Sequence, residues 1–170
     1  MRHLFLTGDI QVGKSTVIRR FLSARPELRV GGFRTVAGPG EDGGDGIYLV
    51  PGGHDVPLGP ENLAFLRRKD GRTREFTVFS GVFDTLGPVL LAGRDCDLIL
   101  MDELGTKEEN APDFQRAVLR CLDGKTPVLG VVQQRVGPFL DTVRAHPNAE
   151  VWTVSRENRE NIYQRLLNWN

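Results

Sequence analysis

The chain has 170 residues, which at ~100–200 residues per domain predicts one domain over residues 1–170. Lysine plus arginine and aspartate plus glutamate both total 22, so the formal net charge is zero and the overall attraction that nucleic-acid and anionic-membrane binders use is absent. We therefore expect neither nucleic acid nor a membrane as a partner, and a few local groups must bind any anionic ligand.

Short apolar runs alternate with helical periodicity, which is typical of strand–helix–strand units and a mainly parallel sheet. We predict strands at residues 3–7, 30–36, 47–50, 75–80, 96–101, 127–132 and 151–154. We predict helices at residues 14–24, 84–91, 111–122, 139–145 and 158–167. Residues 37–46, which are glycine-rich from Gly38 to Gly46, are predicted to be a loop, and the basic residues of 67–74 a charged turn. The fold class is α/β, with helices on both faces of the sheet and a small antiparallel insertion around 47–80.

A phosphate-binding motif lies between the first strand and the first helix. Residues 8–15, the phosphate loop, satisfy G-x-x-x-x-G-K-[ST] in the context that the motif requires. Backbone N–H groups and the positive end of the helix dipole would bind the phosphates, Lys14 would reach the β- and γ-phosphates, and Ser15 would ligate Mg²⁺. A plain glycine turn is the alternative, but such a turn has no use for the Lys-Ser pair. The predicted nucleotide-binding residues here are Gly8, Asp9, Ile10, Gln11, Val12, Gly13, Lys14, Ser15 and Thr16.

Two acidic residues follow the apolar strand at 96–101. Asp102 is expected to reach the Mg²⁺ beside Ser15, directly or through a water molecule. Glu103 would orient or deprotonate a water molecule in line with the γ-phosphate, which favours hydrolysis. The alternative is two acids that merely end a strand. Residues 102–105 also match the D-x-x-G pattern of small GTPases, but the chain has no N/T-K-x-D segment, so strong guanine selectivity is not expected.

Three arginines are weaker candidates. Residues 133–135 follow the strand expected between the phosphate-loop strand and the acidic strand, and Arg135 would stabilise charge on the transferred phosphoryl group unless that strand simply ends in solvent. Arg34 is expected at the end of the second strand, where open sheets bind ligands. Asn158 and Arg159 would line the base pocket at the start of the last helix, although Asn158 could be only a helix cap.

Cysteine usage and hydropathy indicate a cytoplasmic, soluble protein. Cys96 and Cys121 have neither CxxC spacing nor a histidine at metal-ligand spacing, so we expect no disulfide framework. The initial apolar run is too short for a signal peptide, and no stretch of ~18 apolar residues exists.

With these motifs in hand, the chain resembles the THEP1-type nucleoside-triphosphatase family over nearly its whole length. The resemblance rests on the phosphate loop, the acidic segment 102–105, the Gly-Gly-Phe-Arg-Thr segment 31–35, Phe114, the strand segment 127–130 and the Asn-Arg-Glu-Asn segment 158–161. It implies a small P-loop enzyme that hydrolyses ATP, GTP and other nucleoside triphosphates with little base selectivity. Two departures stand out: the lysine after Gly105 is displaced by one position, to Lys107, and the glycine-rich loop lacks an arginine.

The sequence therefore predicts a P-loop nucleoside-triphosphatase fold and Mg²⁺-dependent hydrolysis. Lys14, Glu103 and Arg135 are the predicted catalytic residues, and Ser15 and Asp102 are the predicted metal ligands. One alternative is a small-molecule or nucleotide kinase, with residues 67–74 as a lid. A further alternative is a nucleotide-dependent interaction module in which hydrolysis is a slow timer.

Overall fold

The computed structural model describes residues 3–40, 44–70, 73–93 and 95–169. The strands are β1 (His3–Thr7), β2 (Val30–Pro39), β3 (Asp45–Pro51), β4 (Leu63–Asp70), β5 (Thr73–Val78), β6 (Leu98–Leu104), β7 (Val128–Val132) and β8 (Ala149–Thr153). The helices are α1 (Lys14–Ser23), α2 (Ser80–Leu91), α3 (Pro112–Asp123), α4 (Pro138–Arg144) and α5 (Arg159–Leu167).

Within these ranges the eight strands form one sheet in the order β5–β4–β3–β2–β6–β7–β1–β8. The pairs β2–β6, β6–β7, β7–β1 and β1–β8 are parallel, whereas β2–β3, β3–β4 and β4–β5 are antiparallel. The α/β fold class is confirmed, and so is the position of β7 between the phosphate-loop strand and the acidic strand. The carboxyl ends of β1, β6 and β7 consequently meet at one edge of the sheet.

Apolar side chains cover both faces of the sheet. On one face, helices α2, α3 and α4 pack a core around Phe114, whose ring lies edge-on to Phe33 at 5.4 Å and to Phe83 at 5.6 Å. On the other face, α1 and α5 contribute Val17, Ile18 and further residues to a second core that includes Leu4, Leu6, Leu129, Ile162 and Leu166. Burial on both faces is the reason that β1 and β7 are uninterrupted apolar runs in the sequence.

The prediction of a loop over residues 37–46 is wrong for most of that segment. Strand β2 continues to Pro39 and β3 begins at Asp45, and Gly38 pairs directly with Gly46. A methyl group on Gly38 or Gly46 would lie 3.0 Å or 2.7 Å from the ring of Tyr48, so here the glycines leave space for an aromatic side chain. Residues 41–43 lie outside the described residues.

Residues 67–70 and 73–74, predicted to be part of a charged turn, belong instead to the antiparallel strands β4 and β5. Strand β4 was not predicted, because its four apolar residues are followed by four charged ones and the strand therefore lacks the alternation of a half-buried strand. Arg67 donates a 2.7 Å hydrogen bond to Asp45 on the neighbouring strand β3. The charged turn is therefore wrong for these residues, the lid of the kinase alternative stays a prediction, and residues 71–72 lie outside the described part of the chain.

Smaller differences concern the ends of elements. Helix α2 begins four residues earlier than predicted, and β6 includes Asp102 and Glu103 rather than ending before them. The β6–β7 pairing is interrupted between Met101 and Leu104, so the two acidic residues lie at an irregularity within the strand. None of the described helices is both long and apolar enough to cross a membrane.

Candidate active site

The phosphate loop wraps tightly between β1 and α1. Gly8 adopts a φ of 136°, and a methyl group there would lie 2.2 Å from the carbonyl oxygen of Val154. Glycine is required at this position, since a side chain would overlap fixed backbone. Residues 9–11 at the tip of the loop are exposed, Ile10 to 80%, whereas Val12 is buried in the core beneath α1.

Lys14 lies across the loop that precedes it. Its ammonium group donates hydrogen bonds of 2.8 Å to the carbonyl oxygen of Gly8 and 2.7 Å to that of Asp9. Desolvation lowers the pKa of Lys14, and the nearby carboxylates of Glu103 and Asp9 act in the opposite direction. The Lys14 ammonium group thus lies at the place where the phosphates are predicted to bind.

Glu103 stands across the cleft from the phosphate loop and has one defined partner. The amide nitrogen of Gln133, at the end of β7, donates a hydrogen bond to Oε1 of Glu103. The backbone of Gln133 is held in place, because its N–H donates a 2.9 Å hydrogen bond to the carbonyl of Leu104. The side chain of Gln133 packs closely against Gly105, where an added methyl group would lie only 2.7 Å from it. Two neighbouring strand ends together orient the Glu103 carboxylate.

Asp102 and Ser15 are the predicted metal ligands. Oδ2 of Asp102 accepts hydrogen bonds from the backbone N–H and the hydroxyl group of Thr35, at 3.1 and 3.0 Å. Ser15 is exposed in the first turn of α1. Among the described residues there is no cluster of three or more histidine, cysteine or acidic side chains suited to a metal.

A cleft of about 770 Å³ joins several of these groups. It brings together the predicted site residues Gly8, Asp9, Ile10, Lys14, Glu103 and Arg135. Its lining does not include the predicted site residues Gln11, Val12, Gly13, Ser15, Thr16, Asp102, Asn158 and Arg159. Other parts of its wall come from Thr35, Ile47, Phe65, Arg67, Phe76, Gly105, Thr106, Lys107, Glu108, Gln133 and Gln134.

The two residues predicted for the base pocket have different surroundings. Asn158 precedes α5, and its side chain accepts a hydrogen bond from the N–H of Ser155 at 2.8 Å and donates one to the carbonyl of Thr153 at 2.9 Å. It braces the turn before the helix and makes no cap bond to the helix itself. Arg159 instead lies against the phosphate loop, with Cδ 3.4 Å from the position of a methyl group on Gly13.

Arg34 does not reach the cleft. It lies within β2 rather than at its end, and its guanidinium bonds the carbonyl oxygens of Pro51 and His54 and forms an ion pair with Asp55. The prediction that Arg34 ends the strand is therefore wrong. The arginine instead ties β2 to the segment that follows β3.

Glu108 was missed by the sequence reasoning. It is 4% exposed, and its Oε2 accepts a 2.9 Å hydrogen bond from the N–H of Gly105 at the start of a short 3₁₀ turn, Thr106–Glu108. The pKa of Glu108 is raised to about 8, mainly by burial and also by the charge of Glu103. The hydrogen bond from Gly105 acts in the opposite direction. The signal available was the spacing, since a glutamate three residues after a turn residue is typical of a capping box.

This arrangement of a glycine loop at the end of the first strand, a lysine over that loop, and an acidic strand two positions away in the sheet defines a P-loop α/β nucleotide-binding protein. A family model described as NTPase matches residues 3–167. The chain belongs to this NTPase family.

Individual relatives agree with that assignment. Nucleoside-triphosphatase THEP1 of Methanosarcina barkeri is 28% identical over 173 residues, covering 99% of this chain and 97% of that protein. The protein of the same name from Methanocaldococcus jannaschii is 28% identical over 172 residues, covering 97% and 95%. The crystal structure of THEP1 from Aquifex aeolicus has the same fold, with a TM-score of 0.69, 20% sequence identity and coverage of 99% of this chain and 98% of that one.

Proposed function

We propose that this enzyme hydrolyses nucleoside triphosphates to nucleoside diphosphate and phosphate, with Mg²⁺ and with low base selectivity. One observation carries the proposal: the Glu103 carboxylate is oriented by a hydrogen bond from Gln133, and it lines the same cleft as Lys14. The names of the THEP1 relatives support the reaction class.

Binding of the triphosphate would rely on the phosphate loop and α1. The first turn of a helix has unpaired N–H groups and the positive end of the dipole, both of which attract phosphate. Lys14 would exchange its bonds to the carbonyl oxygens of Gly8 and Asp9 for bonds to the terminal phosphates. The local cation accounts for anion binding by a chain whose net charge is zero.

The base would lie beside Arg159, on the β8 side of the loop. A guanidinium plane packs on any purine or pyrimidine ring, which discriminates little between bases. Asn158 would support this pocket by fixing the turn that precedes α5.

The donor chemistry fits Mg²⁺, which prefers oxygen ligands and usually keeps several waters while binding one or two protein groups and phosphate oxygens. Ser15 offers a hydroxyl oxygen, and Asp102 has Oδ1 open, because none of the described residues donates to it while Thr35 occupies Oδ2. When bound, the ion would neutralise charge on the β- and γ-phosphates.

Hydrolysis requires one water molecule to lose a proton as its oxygen bonds the γ-phosphorus. Glu103 would accept that proton while the bond from the γ-phosphorus to the bridging oxygen breaks and releases the nucleoside diphosphate. Gln133 holds the carboxylate in one orientation, and Arg135, at the rim of the cleft, would stabilise charge on the transferred group.

Steady-state phosphate release from ATP, GTP, CTP and UTP tests this function, measured with Mg²⁺ and with excess EDTA. We expect release from all four with kcat/KM values within about tenfold, since stacking on Arg159 discriminates weakly. EDTA should abolish it. No phosphate release from any of the four would refute the hydrolase assignment, and release unchanged by EDTA would refute the metal dependence.

A further inference from the structure

The cleft continues well beyond the groups that hydrolysis uses. Its far wall is formed by Ile47 on β3, Phe65 and Arg67 on β4, and Phe76 on β5. These four residues share one face of the antiparallel strands, because Ile47 pairs with Phe65, Arg67 lies two residues from Phe65, and Phe76 pairs with Arg67. We call this wall, together with Lys107, the aromatic end of the cleft.

The aromatic end presents rings that packing does not bury. Phe65 and Phe76 lie edge to face with centroids 6.1 Å apart, and Phe76 is 42% exposed. The ammonium of Lys107 lies 3.5 Å from the centroid of Phe76 and 5.8 Å from that of Phe65. Aromatic rings beside a cation can contact both the ring and the charge of a planar anion, once the cation turns from the aromatic face to the anion.

Two cations near the aromatic end, Lys107 and Arg135, are available to bind an anion. Neither Lys107 nor Arg135 forms an ion pair with any of the described residues, whereas Arg67 is paired with Asp45. Desolvation and the positive charge of Arg135 both lower the pKa of Lys107, which means that the two cations repel each other in the cleft. An anion bound between them would relieve that repulsion.

One nucleoside triphosphate cannot fill both ends of this site. In the proposed binding mode its phosphates would occupy the phosphate loop after β1, and its base would lie on the β8 side next to Arg159, which packs against the loop at Gly13. Strand β4 is on the other side of β1, with β7, β6, β2 and β3 between them, on the order of 24 Å away at about 4.8 Å per strand. The aromatic end therefore lies beyond the γ-phosphate.

We propose that the aromatic end is a second binding subsite, which takes a ring-bearing anion of the nucleoside monophosphate class while the triphosphate occupies the phosphate loop. The ring packs against Phe65 and Phe76 once the Lys107 ammonium has turned from Phe76 to the anionic group, which lies between Lys107 and Arg135. The inference depends on the proposed function only in placing the triphosphate at the phosphate-loop end.

Equilibrium dialysis tests the subsite. The full-length protein is saturated with a non-hydrolysable ATP analogue and Mg²⁺, and the binding of AMP, GMP, CMP and UMP is then measured, with adenosine and inorganic phosphate as partial ligands. We expect at least one monophosphate to bind at one additional site without displacing the analogue. Adenosine and phosphate should each bind at least about tenfold more weakly, because each lacks one of the two sets of contacts.

Matched variants locate the binding. Phe76→Ala should weaken monophosphate binding about tenfold, which is typical of a lost stacking contact, and Lys107→Met should do the same. The controls are Phe79→Ala, whose ring is 37% exposed outside the cleft, and Lys125→Met, on an exposed residue outside it; both should bind like the wild type.

Three results would overturn the subsite: no monophosphate binds the loaded protein, the analogue and the monophosphate displace each other, or the Phe76 and Phe79 variants bind equally. Displacement would mean that the aromatic end holds the base of the triphosphate itself. Phosphate release by the wild type without any monophosphate is measured separately. Hydrolysis without monophosphate binding refutes only the subsite, and monophosphate binding without hydrolysis refutes only the proposed function.

Discussion

The parallel and antiparallel parts of the sheet reach the cleft in different ways. The parallel strands β1, β6 and β7 contribute residues at or near their carboxyl ends, where the chain leaves the sheet and the phosphate loop, Glu103 and Gln133 meet. The antiparallel strands β3, β4 and β5 contribute side chains from one face instead, such as Phe65 and Phe76. The proposed phosphate chemistry therefore lies in the parallel part of the sheet, and the aromatic surface of the cleft lies in the antiparallel part.

The largest expected effect separates the two parts by removing one cation from each. Lys14→Ala should lower kcat/KM for ATP about 100-fold or more, because an electrostatic donor aimed at the phosphates is lost. Arg34→Ala, in the part of β2 that pairs with β3, should leave kcat/KM within about twofold, since its guanidinium bonds the end of β3 and the segment after it and does not line the cleft. Equal losses of kcat/KM for both variants, in proteins with unchanged melting temperatures, would show that the two parts of the sheet do not differ in this respect.

A smaller effect is expected at the boundary between the parts. Gly32 has a φ of 78°, and a methyl group there would lie 2.1 Å from the carbonyl oxygen of Leu100 on β6. Gly32→Ala should lower the free energy of unfolding by about 2 kcal/mol, because the side chain would strain both the backbone conformation and the β2–β6 pairing. Urea unfolding measures this loss.

The control for this substitution is Gly81→Ala in helix α2, where a methyl group would meet no other atom within 4 Å. Alanine favours a helix more than glycine, so no loss of stability is expected there. A Gly32→Ala protein as stable as the Gly81→Ala protein would show that the boundary tolerates a side chain.

The smallest effect concerns acid. His3 on β1 is buried; its Nδ1 accepts a hydrogen bond from the N–H of Val128 and its Nε2 donates one to the carbonyl of Leu122. Burial lowers the pKa of His3, partly offset by the bond to Leu122, so the folded protein binds fewer protons here than the unfolded chain. The stabilisation is complete above the ordinary histidine pKa of about 6.5 and decreases as the pH falls below it.

The free energy of unfolding should therefore be about 1 kcal/mol lower at pH 5 than at pH 7 on account of His3, since protonation removes a buried acceptor. His3→Gln should reduce this pH dependence. His54→Gln, on an exposed residue after β3, should keep it. The same pH dependence in His3→Gln as in the wild type would exclude His3 as its source.

The sequence predicted the parallel part well. Short apolar runs bounded by helices indicated β1, β7 and β8, and the strand order placed β7 between β1 and β6 as expected. The phosphate-loop motif could be recognised because phosphate binding demands glycine and lysine at fixed spacing directly after a strand.

The antiparallel part was harder to predict. Strand β4 shows little alternation of apolar and polar residues and carries many charges. Gly38 and Gly46 in the β2–β3 hairpin leave space for the ring of Tyr48, and the contact with Gly38 joins two different strands. The aromatic end of the cleft had no motif, since Phe65 and Phe76 meet only through the β4–β5 register. Glu108 stands at capping-box spacing after Gly105, but its burial, which separates it from the exposed Glu109, becomes visible only in the folded structure.

The most direct test of the account is a single-turnover measurement with Glu103→Gln. We predict that this variant binds ATP and Mg²⁺ with a dissociation constant within about threefold of the wild type. The rate at which it cleaves bound ATP should fall about 100-fold or more. Glu109→Gln, on an exposed acidic residue six positions further along, should cleave at the wild-type rate. Cleavage by Glu103→Gln at the wild-type rate would contradict the assignment of Glu103 as the group that activates water.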